Sequence, residues 1–213
     1  MSSGEKKYTV REERLNAATH FAGLVLLIAG MFYLFSRPLA TSNNLGLASA
    51  IFYGASLLFM FAVSGIYHST KDPRRRKTAQ IFDHCAIYFL ITGSYAPLLY
   101  RVSPDRTGAV IFGTLAALSA AGCAGRLLNI RNFKKVEIIL YIVMGWCCVA
   151  ISGKLIRQLP PLSLWLLLSG GIAYTAGVAL YLKKREFYHA VWHLFVSAGA
   201  GLQFFAITRA LDL

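Results

Sequence analysis

The last long apolar run of the chain opens with the stretch Glu186-Phe187-Tyr188-His189-Ala190-Val191-Trp192-His193. Its two histidines are four residues apart, so on a helix both imidazoles lie on one face, about one turn apart. Such a face can present two nitrogens to one metal ion. Histidines inside a membrane segment cost free energy, which points to a functional role. The alternative interpretation is structural, with one histidine buried and hydrogen-bonded and the other at the membrane interface.

The composition indicates the class of protein. The chain has 213 residues, of which 56% are hydrophobic and only 15% are charged, whereas soluble domains carry roughly 25% charged residues. The apolar residues fall into long runs, not at amphipathic spacing. The net charge of +13 does not point to nucleic acid, because Lys and Arg stand in short clusters between these runs. We therefore predict an integral membrane protein.

Seven apolar runs are each close to the roughly twenty residues that a bilayer-spanning helix needs. We predict an all-α membrane protein, with residues 1–213 forming a single seven-helix transmembrane domain. The predicted spans are residues 16–35, 45–67, 81–100, 108–128, 136–156, 161–182 and 188–208. Residues 1–14 are polar and are expected to form a short tail or a surface helix.

The basic residues orient these spans. Sixteen of the 22 Lys and Arg residues fall before the first span, in the last turn of the fourth span, or after the second, fourth and sixth spans. The largest cluster lies at residues 71–77. Because the positive-inside rule places such segments in the cytoplasm, we predict a cytoplasmic N-terminus and an external C-terminus.

Cysteines and small residues are interpreted as packing residues. The four cysteines lie inside apolar runs and form no Cys-x-x-Cys pair, so neither disulfides nor a thiolate metal site is expected. These are Cys85, Cys123, Cys147 and Cys148. Small residues recur at the spacing that lets membrane helices approach closely, as in Gly113 with Ala117 and Ala121, and Gly170-Gly171 with Ala173 and Gly177.

All five histidines fall in the cytoplasmic half of the predicted bundle. They are His20, His68, His84, His189 and His193. Histidines at membrane depth usually mark proton relays or metal sites. Zinc in a catalytic site suits three imidazoles plus a water. His189 and His193 supply two ligands at helical spacing, and His68 is the best third because it reaches the same depth from another helix.

Ser64 and Asp83 lie near the same level. The Ser64 hydroxyl, one turn before His68, either faces the site or bonds to a carbonyl of its own helix. Asp83 is either a charge favoured by the helix dipole or a group that orients an imidazole or takes a proton from water. His84 is rotated by about 100° from Asp83 on a helix, and we interpret it as a supporting residue, not a ligand.

The sequence resembles the hemolysin III family in five motifs that occur in the family's order. These are Glu-Glu-Arg-Leu-Asn-Ala-Ala-Thr-His at residues 12–20, Ser64-x-x-x-His68, Asp83, Gly-Ser-Tyr-Ala-Pro at residues 93–97, and His189-x-x-x-His193. The resemblance covers essentially the whole chain. That family is related to the progestin and adipoQ receptors, which include the adiponectin receptors, and the wider superfamily includes alkaline ceramidases.

The resemblance implies a seven-helix bundle with an intracellular N-terminus. It implies zinc held by His68, His189 and His193, with Asp83 and Ser64 beside the water that completes the coordination. In the adiponectin receptors the implied activity is hydrolysis of a lipid amide, ceramide. This chain is similar to the minimal bacterial form, without the receptors' long N-terminal region, and is expected in the plasma (inner) membrane. A hormone-receptor role is therefore not carried over.

Together these observations favour a zinc-dependent intramembrane hydrolase that acts on a lipid-like amide or ester and contributes to membrane lipid homeostasis. Asp83 would take a proton and pass it to the leaving group. Two alternatives stay open, a non-catalytic membrane sensor braced by zinc and a channel or pore former. A fourth protein ligand in place of water would favour structural zinc. The expected partners are membrane lipids, not nucleic acid.

Overall fold

The computed structural model describes residues 8–37, 43–131, 133–183 and 185–211. In these ranges it is helical throughout, with no strand. The α-helices are α1 (Val10–Phe35), α2 (Asn44–Ser69), α3 (Pro73–Val102), α4 (Arg106–Leu127), α5 (Phe133–Gly145), α6 (Ser152–Gln158), α7 (Pro161–Tyr181) and α8 (Tyr188–Ala210). Seven segments are long and apolar enough to cross a membrane, with α5 and α6 together making the fifth. The predicted all-α, seven-span architecture is confirmed.

The positions of the helices do not test every prediction made from the sequence. The orientation of the bundle in the cell and its treatment as one domain stay predictions. Residues 1–7 of the expected tail, with Lys6 and Lys7, lie outside the described residues, as does Lys184 of the last basic cluster.

Polar side chains set the starts of the first four helices. Thr9 caps α1 and forms a capping box with Glu12, while Asn43, Asp72 and Asp105 cap α2, α3 and α4. Each cap accepts a hydrogen bond from one of the N–H groups that the first helical turn leaves without a partner. Because of the Thr9 cap, α1 begins at Val10, so the end of the expected polar tail is in fact the first turn of the helix.

The fifth span is interrupted, unlike the single helix expected over residues 136–156. α5 ends at Gly145, and a 3₁₀ turn over Cys147–Ile151 precedes α6. The Tyr95 hydroxyl on α3 donates to the Gly145 carbonyl at 2.9 Å and accepts from the Cys148 N–H at 2.8 Å. Unpaired backbone groups cost several kcal/mol in lipid, so Tyr95 makes the break tolerable by pairing two of them.

The helices pack around two apolar clusters. α1 contacts both α2 and α8, and their shared cluster contains Tyr53, Leu57 and Phe204. The second cluster joins α3 to α4, α5 and α6 around Tyr88 and Leu115. The candidate site described below lies at the end of the bundle where α1 and α8 begin and α2 ends.

Close approach of helices occurs at some of the glycines but not at all of those predicted. A Cβ on Gly170 would lie 2.8 Å from the Gln203 side chain of α8, and one on Gly122 would lie 2.2 Å from the Tyr88 ring. A Cβ on Gly113 would meet none of the described atoms within 4 Å. The packing interpretation therefore holds for Gly170 and is wrong for Gly113. The four cysteines are free, as expected.

Candidate metal centre

Three histidines that are distant in sequence meet at one point. His68 lies in the last turn of α2, and His189 and His193 lie in the first two turns of α8. Nε2 of His189 lies 3.3 Å from Nε2 of His68 and 3.1 Å from Nε2 of His193. One nitrogen of each ring lies within 4.8 Å of the others, with His189 half-buried and the other two buried. These are the three residues that the sequence singled out.

Hydrogen bonds on the far side of two rings assign their protons. Nδ1 of His68 lies 2.7 Å from Oε2 of Glu13, and Nδ1 of His193 lies 3.3 Å from the backbone oxygen of Asn16. A carboxylate and a carbonyl can only accept, so we assign both Nδ1 atoms as donors. In a neutral imidazole the other nitrogen then carries a lone pair. The lone pairs of His68 and His193 therefore face Nε2 of His189.

The spacing and donor set fit a divalent cation such as zinc. Nitrogens bound tetrahedrally at the usual zinc distance are about 3.3 Å apart, close to the 3.3 and 3.1 Å observed. The three nitrogens could hold such a cation, because the lone pairs of His68 and His193 converge there and Nε2 of His189 can supply a third. Within the described residues no further His, Cys, Asp or Glu joins the group.

Glu12 ties the start of α1 to the residue before α8. Its Oε1 accepts from the backbone N–H of Phe187 at 2.8 Å, while Oε2 accepts from Thr9 N–H at 2.8 Å. Phe187 has a left-handed backbone with φ of 60°, a conformation that is strained for a bulky residue. The hydrogen bond from Phe187 to Glu12 thus stabilises the strained turn before α8, the helix that carries His189 and His193.

His20 lies against the three histidines without joining them. Its ring centroid is 4.0 Å from that of His193 in an edge-to-face arrangement and 5.1 Å from that of Phe61. The residue is buried, and neither ring nitrogen has a hydrogen-bond partner among the described residues. It packs there between His193 and Phe61.

His84 belongs to a separate polar network. Its Nδ1 lies 3.3 Å from the Glu137 carboxylate, which also pairs with Arg126 at 2.9 Å. The Tyr141 hydroxyl donates to the His84 backbone oxygen at 2.8 Å. This network joins α3, α4 and α5, so His84 supports the packing of those helices.

Ser64 and Asp83 occupy the helices that the sequence assigned to them. Ser64 is buried on α2, one turn before His68. Asp83 is half-buried on α3 and is not one of the groups whose ligand atoms converge. The roles assigned to these two residues beside the metal stay predictions.

Glu13 and Asn16 are two residues beside the histidines to which sequence reasoning assigned no role. Both stand in the N-terminal motif, and with His20 they follow the i, i+3, i+7 spacing of one helix face. Polar residues along one face of an otherwise apolar helix are the signal that could have identified them. What the sequence does not give is the rotation of α1 that turns this face toward His68.

An apolar cavity of about 170 Å³ lies away from the histidines. Its lining includes Tyr95, Trp146, Leu167 and Gln203. Gln203 stands ten residues after His193 on α8, which is about 15 Å along the helix. The cavity lies beside the break in the fifth span, and none of the three histidines lines it.

Comparison with known proteins finds one matching family and several relatives. The family described as Haemolysin-III related matches residues 8–204. Hemolysin-3 of Bacillus cereus is 34% identical over 203 residues, covering 93% of this chain and 91% of the relative. A Hemolysin-3 homolog of Bacillus subtilis (strain 168) is 30% identical over 201 residues, covering 94% of each. The human Monocyte to macrophage differentiation factor is 29% identical over 219 residues, covering 99% of this chain and 89% of the relative.

Proposed function

The chain belongs to the hemolysin III family, and we propose that it is a zinc-dependent intramembrane hydrolase of a lipid-like amide or ester. Its seven apolar helices make it a multi-pass integral membrane protein, and the Bacillus relatives are consistent with the bacterial plasma membrane. The observation that carries the proposal is the set of three converging imidazole nitrogens, with no fourth protein ligand among the described residues.

Three protein ligands distinguish a catalytic site from a structural one. Structural zinc sites are usually closed by four protein ligands, whereas catalytic sites keep one position for water or substrate. Zinc in such a site polarises a carbonyl and supplies an activated water at neutral pH. The chain itself would hold the ion through Nε2 of His68 and His193 and through His189.

The depth of the site supports a lipid as substrate. His68 is the penultimate residue of α2 and His189 the second residue of α8, so the imidazoles lie near the ends of their membrane spans. The amide and ester carbonyls of lipids lie at the same level, between the hydrocarbon core and the headgroups. A lipid would therefore bring its scissile carbonyl to the histidines while its chains stay in the bilayer.

Asp83 and Ser64 are the proposed partners of the reaction. Asp83 would accept the proton of the attacking water and return it to the leaving amine or alcohol. Ser64 lies one turn deeper than His68, where its hydroxyl would orient the water or the carbonyl. Neither residue is proposed as a ligand of the metal.

A structural metal is the second candidate, and one observation favours it. α2 and α8 both pack against α1, and the histidines are a point where the two helices meet directly. A metal there would brace this end of the bundle without any turnover. In that case the protein would act as a sensor or homeostasis protein.

The deciding experiment is lipid hydrolysis by wild type and Asp83→Asn at equal zinc occupancy, across a panel of ceramides and phospholipids. General-base catalysis contributes roughly 10²- to 10⁴-fold, so turnover should fall by about that factor while zinc content stays the same. Asp72→Asn is the matched control, because Asp72 caps the same helix at the surface and asparagine caps equally well.

Equal, measurable rates in wild type and Asp83→Asn would remove Asp83 from the mechanism. Absence of turnover for every lipid in the panel, with zinc bound, would favour the structural metal.

A further inference from the structure

We propose that Glu13 is a positioning residue of the metal centre and that Arg76 holds it in place, so that helix α1 sets the metal affinity without supplying a ligand. The inference rests on the metal site proposed above and extends it to the first helix and to the basic segment at residues 71–77.

Glu13 contacts the side of the His68 ring that faces away from the other histidines. Its Oε2 lies 2.7 Å from Nδ1 of His68, while Nε2 of the same ring lies 3.3 Å from Nε2 of His189. A hydrogen bond to a carboxylate is short and stronger than a neutral one. Such a bond fixes the tautomer and orientation of a metal-binding imidazole and makes the ring a better donor. Glu13 therefore keeps the Nε2 lone pair of His68 directed at the site.

Arg76 fixes both Glu13 and the helix end that carries His68. Its guanidinium pairs with Oε1, the other carboxylate oxygen of Glu13. It also donates to the backbone oxygens of Tyr67 and Thr70, at 3.4 and 3.2 Å, and lies 4.6 Å from the centroid of the Tyr67 ring. These carbonyls lie in the last turn of α2 and at its C-cap, where a basic side chain supplies the donors that the helix lacks. Arg76 thus has a role beyond setting the membrane topology.

Asn16 extends the same face of α1 to a second imidazole. Its backbone oxygen lies 3.3 Å from Nδ1 of His193 and accepts the proton assigned to that nitrogen. Because Glu13 and Asn16 are three residues apart, they face the site together. One face of α1 therefore selects the protonated nitrogen of two of the three ligands.

A purely structural ion pair is the alternative to this role. If Glu13 only joined α1 to α2 and α3, its removal would lower the stability of the fold but would leave the zinc affinity of the folded protein unchanged. It would also leave the tautomer of His68 unchanged. Affinity and tautomer therefore separate the two interpretations, and stability does not.

The experiment measures zinc affinity of the purified full-length protein by competition with a chelator. Loss of such an outer hydrogen bond typically weakens metal binding by about 10- to 100-fold, which is the expectation for Glu13→Ala. Glu13→Gln should fall between wild type and Glu13→Ala, because its amide oxygen still accepts from Nδ1 but without the charge. Glu186→Ala is the control, since Glu186 is exposed beside the start of α8 and should leave the affinity unchanged.

A second readout is the ¹⁵N spectrum of histidine-labelled protein before zinc is added. Wild type and Glu186→Ala should show His68 protonated at Nδ1, and Glu13→Ala should show a mixture of the two tautomers. Glu13→Gln keeps the size of the side chain and provides the comparison if Glu13→Ala does not fold.

The outcomes distinguish this inference from the proposed function. Tight zinc binding by wild type with equal affinity and an unchanged His68 tautomer in both Glu13 variants would overturn the positioning role alone. Failure of wild type to bind zinc would overturn the proposed metal site, and this inference with it.

Discussion

Nε2 of His68 lies 3.3 Å from Nε2 of His189, although 121 residues separate the two in the chain. His68 is the penultimate residue of α2, and His189 is the second residue of α8. Both helices pack on α1, so a metal bound by both nitrogens would add a direct link between them. The stability of this end of the bundle should therefore depend on the ion.

Metal removal is the first test of that dependence. A ligand that binds only the folded state stabilises it by about 4 kcal/mol when present at 1,000 times its dissociation constant. Chelation should therefore lower the thermal unfolding temperature of wild type in detergent, and zinc should restore it. His193→Ala should already unfold at the lower temperature and should not respond to the chelator. The same response to chelator in His193→Ala and in wild type would place the ion elsewhere.

Two glycines on α4 test the packing of the helices. A Cβ on Gly122 would lie 2.2 Å from the Tyr88 ring, whereas one on Gly113 would meet none of the described atoms within 4 Å. Overpacking typically costs about 1–3 kcal/mol, while alanine is favoured over glycine in a helix by up to about 1 kcal/mol. Gly122→Ala should thus lower the unfolding temperature, and Gly113→Ala should leave it unchanged or raise it. Equal effects of the two substitutions would contradict the helix contact at Gly122.

The sequence was sufficient to predict seven spans and the group of three histidines, because hydropathy, residue spacing and depth in the membrane can be read without knowing how the helices pack. Hydropathy sets each span, the four-residue spacing aligns His189 with His193, and depth in the membrane selects His68. The break in the fifth span depends instead on the Tyr95 hydroxyl of another helix, about fifty residues away in the chain. The contact of Glu13 with His68 depends on how α1 is rotated against α2, and neither helix encodes that angle by itself.

A pH test concerns Asp105, which lies between α3 and α4. Hydrogen bonds from the Lys154 ammonium at 2.6 Å and from the Ser103 hydroxyl at 2.7 Å hold the pKa of Asp105 well below its usual range. Because this pKa is lowered by folding, the stabilisation is present above the unfolded pKa of about 4 and is lost as pH falls through the folded value.

Asp105→Asn removes this charge alone, because asparagine can still accept a hydrogen bond from the Gly108 N–H of α4. The difference in unfolding temperature between wild type and variant should be largest near neutral pH and should shrink below about pH 4. Effects of acid on the rest of the protein are common to both and cancel in the difference. A difference that is constant across this range would show that the ion pair does not contribute.

The orientation of the bundle is tested by cysteine accessibility in a background with the four native cysteines replaced by alanine. Arg75 lies in the first turn of α3, Arg106 begins α4 just beyond the other end of α3, and both are exposed. The charge asymmetry places Arg75 in the cytoplasm and Arg106 outside. In intact cells an impermeant thiol reagent should label Arg106→Cys and not Arg75→Cys. The reverse labelling pattern would invert the topology and move the histidines to the external side.

The most direct test of the metal centre is the zinc content and X-ray absorption spectrum of the purified protein. Wild type should carry about one zinc, bound at roughly 2.0–2.1 Å by three imidazole nitrogens and one oxygen. His68→Ala, His189→Ala and His193→Ala should each lose most of the zinc, and His84→Ala should keep it. Zinc that is retained by His68→Ala and lost from His84→Ala would contradict the assignment of the three ligands.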